Sequence, residues 1–254
     1  MKGLWLVFTL GSILSAIFPN GVGIVGKHGK VGSQIPKSSS RLIETYTNLT
    51  VPKKWFVYFY VMGFLGCLIR LLQLSTFSIG TQSQIMLMFT LQCSRRFFEC
   101  LFTHFGDSKM HVSTLLIGFL HYYLIPWEMA SLDDKSVPQF WSVIVWILFL
   151  IASYSQNHCN RILDTMKREQ MVTKRYKVPR GFLFDYVCCP HYLCEIIVYL
   201  CLWLMDTTSM DMFLIFAWVV SNQVVVADFQ YQFYREKEGE AIPSNWKRIL
   251  PFVW

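Results

Sequence analysis

Apolar residues in this chain are gathered into long blocks rather than spaced at a strand or helix period, and that gathering limits the fold more than any other feature. A helix rises about 1.5 Å per residue and the hydrocarbon core of a bilayer is about 30 Å thick, so a block near 20 residues long reads as a membrane helix. Seven blocks are read as spans, at 4–18, 55–74, 80–102, 111–127, 138–156, 191–206 and 211–231. Charged residues make up only 15% of the chain, against roughly 25% in soluble domains, and hydrophobic residues make up 54%. These figures argue against a soluble globular enzyme, a disordered tail and a secreted disulfide module. The predicted fold is all-α and integral to the membrane, a single domain over residues 1–254 with about seven transmembrane helices. The first block is short and follows Met1-Lys2, as a signal peptide would. Pro19-Asn20-Gly21 stands where a small-x-small cleavage site belongs, so a retained helix is expected.

The loops carry the charge, and their lysines and arginines set the orientation. Loop 19–54 holds Lys27, Lys30, Lys37, Arg41, Lys53 and Lys54 against Glu44 alone. Loop 157–190 holds Arg161, Lys167, Arg168, Lys174, Arg175, Lys177 and Arg180 against Asp164, Glu169 and Asp185. Loop 128–137 has Glu128, Asp133 and Asp134 with Lys135, and the link 206–211 has only Asp206 and Asp211. Alternating sides puts the basic loops and the C-terminal tail in the cytosol, and the N-terminus and the acidic loops opposite. The net charge of +7 is then a topology signal rather than a nucleic-acid surface. Asn48-Leu49-Thr50 is a glycosylation sequon, expected to stay unmodified in a cytosolic loop. Nothing points to an obligate protein partner. Several of the eight cysteines (Cys67, Cys93, Cys201) lie inside apolar blocks, where cysteine acts as a small hydrophobe.

Two motif matches fail on context. Gly21-Val22-Gly23-Ile24-Val25-Gly26 fits G-x-G-x-x-G, but that fingerprint needs a strand before it and a helix after it. Here a span ending in Pro19 precedes it and Lys27-His28-Gly29-Lys30 follows. His158, Cys159, Cys188, Cys189, His191 and Cys194 suggest zinc, yet Cys188 and Cys189 are adjacent and lack paired-ligand spacing. No metal is expected.

Polar residues inside or at the rims of the blocks are more informative, because polar groups at membrane depth are costly and usually pair or line a cavity. Arg95, Arg96 and Glu99 end the third block. Asn157, His158 and Asn160 end the fifth, Glu195 sits one turn into the sixth, and Asn222, Gln223 and Asp228 lie in the seventh. Most fall toward the cytosolic end and converge on loop 157–190, which also carries Tyr176 and a Pro179-Arg180-Gly181 turn. A basic, aromatic-bearing loop over a polar membrane cavity suits a phosphorylated cofactor. Arg70 reads as a snorkelling side chain.

The run Phe184-Asp185-Tyr186-Val187-Cys188-Cys189-Pro190-His191-Tyr192-Leu193-Cys194-Glu195 resembles the F-x-Y-V-S-x-P-[NH]-Y-x-x-E signature of the steroid 5α-reductase family. The tail from Gln232-Phe233-Tyr234 to Pro251-Phe252-Val253-Trp254 resembles that family's ending. Val51-Pro52-Lys53-Lys54-Trp55-Phe56, Arg95-Arg96-Phe97-Phe98-Glu99-Cys100-Leu101 and Met110-His111-Val112 are similar to its polyprenol-reducing branch. The resemblance covers about residues 20–254, with the cofactor-binding signature over about 155–254.

What it implies is an endoplasmic reticulum enzyme with a cytosolic cofactor-binding loop. Such an enzyme uses NADPH to saturate the α-isoprene unit of polyprenol or polyprenal, on the way to dolichol for protein N-glycosylation. The family's cofactor positions fall on Lys27, Arg96, Asn160, Lys167, Tyr176, Lys177, His191, Glu195 and Tyr234. Steroid-reducing members pair a glutamate with a tyrosine to polarise the ketone, and those places hold Phe59 and Cys93. A steroid 3-ketone is therefore a poor substrate for this chain. The family's histidine three residues before the final tyrosine is Tyr231, so Tyr231 and Tyr234 are the candidate catalytic donors. An allylic alcohol has no sink for a hydride's charge, whereas the α,β-unsaturated aldehyde has one, so polyprenal is the expected substrate. The open alternatives are an S-adenosylmethionine-dependent lipid or isoprenylcysteine methyltransferase, and another enoyl or steroid reductase of the superfamily. A non-enzymatic scaffold would not need polar residues gathered at one rim.

Overall fold

The computed structural model describes residues 2–17, 48–73, 80–103, 105–106, 108–173, 177–238, 242–243 and 246–250. Among them are seven α-helices: α1 (Lys2–Ile17), α2 (Phe56–Gln73), α3 (Thr81–Phe102), α4 (Val112–Ala130), α5 (Gln139–Thr173), α6 (Pro190–Met205) and α7 (Met210–Glu238). Each covers one of the seven apolar blocks. A short antiparallel ribbon pairs β1 (Thr50–Pro52) with β2 (Lys109–His111). Single 3₁₀ turns follow at Lys53–Trp55 and Phe182–Asp185.

Three helical stretches, Lys53–Gln73, Gln139–Thr173 and Met210–Lys237, are long and apolar enough to cross a membrane. The others are shorter or more polar, and α3 explains why. It buries Thr81, Gln82, Ser83, Gln84, Thr90 and Gln92 and leaves Leu87, Leu91, Phe98, Leu101 and Phe102 on the outside. The outer face of α5 is likewise apolar, with Phe140, Val143, Ile147, Leu150, Ile151 and Tyr154 all exposed. Apolar groups outside and polar groups within are the arrangement of a protein solvated by lipid.

The helices pack as α2 on α3 and α4, α5 on α6, α6 on α7, and α7 on α1. Their common core runs through Phe89, Cys93, Ile125, Phe149, Val198, Leu202 and Trp218. All eight cysteines are buried and unbridged. Glycines set the close approaches to α4. A Cβ on Gly118 would fall 2.5 Å from the Phe59 ring, and one on Gly66 would fall 2.9 Å from Pro126. Gly118→Ala is expected to destabilise the fold by about 1–3 kcal/mol through overpacking, read as a lower melting temperature in detergent.

Charged connections sort to two ends. At one, Lys135 pairs with Asp206 (3.2 Å) and donates to Thr208 (2.7 Å), while the backbone N–H of Gln82 donates to Asp134. The acidic segments 128–137 and 206–211 therefore share that end, as the charge pattern requires. The other end holds the β ribbon, the C-terminal halves of α3, α5 and α7, and the start of α6.

One expectation needs correction. Residues 157–190 are not all loop, because α5 continues to Thr173. Hydropathy falls after residue 156, but the run Arg161–Thr173 is rich in good helix formers, and Asp164 pairs with Arg168 at 2.9 Å across one turn. Gly181 takes φ +87°, open to glycine at no steric cost, and its N–H donates to Asp185 Oδ1 at 2.8 Å.

Candidate active site

The polar rims of α3, α5 and α6 close into one buried network. Glu99 is its hub, with its side chain 9% exposed. It accepts from Arg95, Arg96, Asn157 Nδ2 (2.7 Å) and Asn160 Nδ2 (2.9 Å). Arg96 also reaches α2, where its Nε (3.3 Å) and Nη2 (3.1 Å) donate to the Tyr60 hydroxyl. One layer further into the helices, Gln92 Nε2 donates to Gln156 Oε1 (2.9 Å) and Glu195 Oε2 (3.2 Å). Gln156 also donates to Glu195 and to the His191 carbonyl (3.3 Å), and Arg95 Nη2 ties the layers by donating to Gln92 Oε1 (2.9 Å).

The spacing makes this possible. On α3, Gln92, Arg95 or Arg96, and Glu99 fall on successive turns of one stripe. On α5, Ser153, Gln156 or Asn157, and Asn160 do the same. Two polar stripes face each other, so the carboxylate charges are met by guanidinium and amide donors in place of water.

Of the sequence-derived cofactor residues, Arg96, Asn160 and Glu195 are members of this network. His191 borders it. Its carbonyl is engaged, and its ring Nδ1 is buried with no hydrogen-bond partner. Lys167, half-buried two turns beyond Asn160, lies within electrostatic reach of Arg96 and of Lys53 on the 3₁₀ turn after β1. All three cations act on His191. Lys177 lies apart, exposed and paired with Glu169 at 2.7 Å. Lys27 and Tyr176 lie outside the described residues.

Tyr231 and Tyr234 occupy a neighbouring cluster with Trp246, Phe233, Cys188 and Cys189. Arg248 stacks on Tyr231 at 4.9 Å and pairs with Asp228, and Trp246 lies 5.9 Å from the Tyr234 ring. Segment 246–250 is held there by the N–H groups of Cys188 and Cys189, which donate to the Lys247 (2.8 Å) and Arg248 (3.1 Å) carbonyls. Tyr192 packs on this cluster and lies 4.1 Å from the His191 ring, which joins it to the network. Burial raises the Cys189 thiol pKa well above its ordinary range, so this cysteine is neither a thiolate nucleophile nor a ready ligand. Among the described residues, no three His, Cys, Asp or Glu side chains are grouped as metal ligands.

Tyr60, Gln92 and Gln156 belong to this network and Lys53 lies beside it; none of the four is among the cofactor positions that the resemblance implies. The facing polar stripes of α3 and α5 were the signal that could have found the two glutamines. Phe59 and Cys93 pack around Tyr122 of α4: Phe59 stacks on its ring at 6.1 Å, and the Cys93 sulfur and Tyr122 Cδ1 meet at the same glycine, Gly63.

Residues 111–254 match the family model described as 3-oxo-5-alpha-steroid 4-dehydrogenase. Matches to individual proteins extend over more of the chain. It is 30% identical over 224 residues to the polyprenal reductase of Saccharomyces cerevisiae, covering 86% of this chain and 82% of the yeast protein. It is 26% identical over 301 residues to the polyprenal reductase of Caenorhabditis elegans, covering 98% and 94%. Polyprenal reductase 2 of Oryza sativa is 25% identical over 338 residues, covering 98% and 95%. The chain belongs to the 3-oxo-5-alpha-steroid 4-dehydrogenase family.

Proposed function

We propose that this chain is a membrane reductase that uses NADPH to saturate the α-isoprene double bond of polyprenal, giving the saturated aldehyde on the way to the dolichol needed for protein N-glycosylation. The observation that carries the reading is the Arg96–Glu99–Glu195 network with Lys53 and Lys167 beside it, in a chain similar over nearly its whole length to polyprenal reductases. The site's residues fit NADPH. One guanidinium and two lysines suit its phosphates, and the orphaned His191 Nδ1 suits a further polar group. Arg96, Asn160, Lys167, His191, Glu195 and Tyr234 would hold it, with Lys53 added by the geometry and Lys27, Tyr176 and Lys177 by the family resemblance alone.

Bound there, NADPH supplies the hydride. The chemistry then asks two things of the protein. As a hydride adds to the β-carbon, the π electrons of the double bond move toward the carbonyl, which becomes an enolate oxygen needing a hydrogen-bond donor. One proton must next reach the α-carbon, restoring the carbonyl and closing the balance at one hydride and one proton. Tyr231 and Tyr234 are phenols that can serve either role. All seven helices cross the endoplasmic reticulum membrane in this reading. The network, the loop after α5 and the C-terminus face the cytosol. The isoprenoid tail leaves between helices into the bilayer, where an apolar groove of about 600 Å³ between α2 and α4, lined by Met62, Leu65 and Phe119, suits it.

The purified protein is expected to oxidise NADPH with polyprenal and not with polyprenol or a 4-ene-3-keto steroid. Binding of S-adenosylmethionine with no turnover of any of the three would instead make it a methyltransferase. Replacing Lys53 and Lys167 together by alanine is expected to raise the KM for NADPH at least tenfold and to flatten its salt dependence, because both act through charge. A variant with an unchanged KM would remove these lysines from the cofactor site.

A further inference from the structure

Beneath the Arg96–Glu99 network lies a second chain of hydrogen bonds with no part in the cofactor site. Trp218 Nε1 of α7 donates to His121 Nδ1 of α4 at 3.2 Å. His121 Nε2 lies 2.8 Å from the Tyr199 hydroxyl of α6. The phenol of Tyr122, the next residue of α4, lies within electrostatic reach of Tyr199. His121, Tyr199 and Trp218 are all buried.

The chemistry of these groups fixes its direction. An indole N–H can only donate, so His121 Nδ1 accepts, and the neutral ring carries its hydrogen on Nε2. That hydrogen is donated to the Tyr199 oxygen. Tyr199 keeps its own hydroxyl hydrogen, as does Tyr122. At least one hydroxyl hydrogen of these two phenols is therefore not used within the chain. A chain ending in a surplus donor is more than a tie between helices, and donors linked in series polarise one another.

The surplus donor sits beside the polar network of α3, α5 and α6. Glu195 lies one turn before Tyr199 on α6. The Tyr122 ring meets Tyr60 edge-on at 5.2 Å, and Tyr60 receives Arg96. The Tyr122 ring is also fixed in place: it stacks on Phe59 at 6.1 Å and Phe89 at 6.0 Å, and a Cβ on Gly63 would fall 2.9 Å from it.

We propose that Tyr122 and Tyr199, oriented by His121 and Trp218, donate the hydrogen bond that holds the substrate's aldehyde oxygen as it becomes an enolate, leaving Tyr231 and Tyr234 for the α-carbon proton. The assignment rests on the enal-reduction reading above and divides the two roles that reading leaves open. Tyr122 and Tyr199 touch the substrate; His121 and Trp218 are positioning residues.

The test compares wild-type protein with Tyr122→Phe, Tyr199→Phe, the double variant and Trp218→Phe, using polyprenal and its α-chloro derivative, whose enolate is less basic. Each single phenol loss is expected to lower kcat about tenfold or more, and the double loss roughly 10²–10³-fold, as for an oxyanion donor. NADPH affinity, read by tryptophan quenching, should stay within about twofold, because the cofactor network is untouched. The loss should be smaller for the α-chloro substrate. Trp218→Phe keeps an aromatic ring but releases the imidazole tautomer, and is expected to lower kcat several-fold with KM unchanged. Wild-type protein that fails to reduce polyprenal overturns the reading beneath. Wild-type turnover with an undiminished kcat in the double variant overturns this assignment alone. Equal losses on both substrates, accompanied by lost NADPH affinity and a lower melting temperature, also overturn it and leave the chain as helix packing.

Discussion

Replacing Glu99 by alanine is expected to remove most of the folded protein, and with it the NADPH binding proposed above. Glu99 is the shared acceptor for two guanidinium groups and two asparagine amides from α3 and α5. The side chains of Arg95 and Arg96 are only 19% and 20% exposed, so neither can turn to water when the carboxylate is gone. Stranding a buried charge costs roughly 3–5 kcal/mol. Marginal stability means that a loss of this size leaves little native protein. Glu99→Gln keeps the shape and two of the acceptor positions, and its loss should be visibly smaller. Melting temperature and NADPH quenching in detergent read both variants. A Glu99→Ala protein that melts with the wild type would show that the two arginines find other partners.

Arg96→Lys is expected to be nearly as damaging to cofactor binding as Arg96→Ala, although it keeps the charge. Arg96 uses two nitrogens on the Tyr60 hydroxyl and a third on Glu99, and its guanidinium lies over the Tyr60 ring at 5.1 Å. A lysine ammonium offers one point of attachment and loses the fork. Truncating one partner of a buried charged pair typically costs about 2–5 kcal/mol, or roughly thirtyfold to several-thousandfold in affinity. The KM for NADPH should therefore rise at least thirtyfold in Arg96→Ala, with Arg96→Lys within about tenfold of it. A lysine variant with wild-type KM would mean that only the charge matters.

The positions of the helices were legible because the hydrophobic blocks are their positions: every described α-helix begins close to the start of a block, and all but α5 and α7 end close to its end. The end of α5 was not legible. A span ends where hydropathy drops, but a helix ends where its backbone loses partners, and the polar run to Thr173 continues to supply them. Arg96, Glu99, Asn160 and Glu195 were legible as polar residues where lipid should forbid them. Gln92 and Gln156 were missed because an amide in a span is unremarked until its partner is known, and that partner lies 64 residues away. Lys53 was missed for a related reason, since its place beside Arg96 and Lys167 depends on the β1–β2 ribbon folding back over the helix ends. The His121–Tyr199 pair spans two helices at a separation of 78 residues, so only the packed structure assembles it.

The account turns on where the hydride goes. The most direct measurement supplies NADPH deuterated at nicotinamide C4 to the purified protein with polyprenal, and locates the label in the product by NMR. Deuterium at the β-carbon of a saturated aldehyde is the expected result. Deuterium at the carbonyl carbon, with the double bond intact, would contradict the account and make the protein a carbonyl reductase.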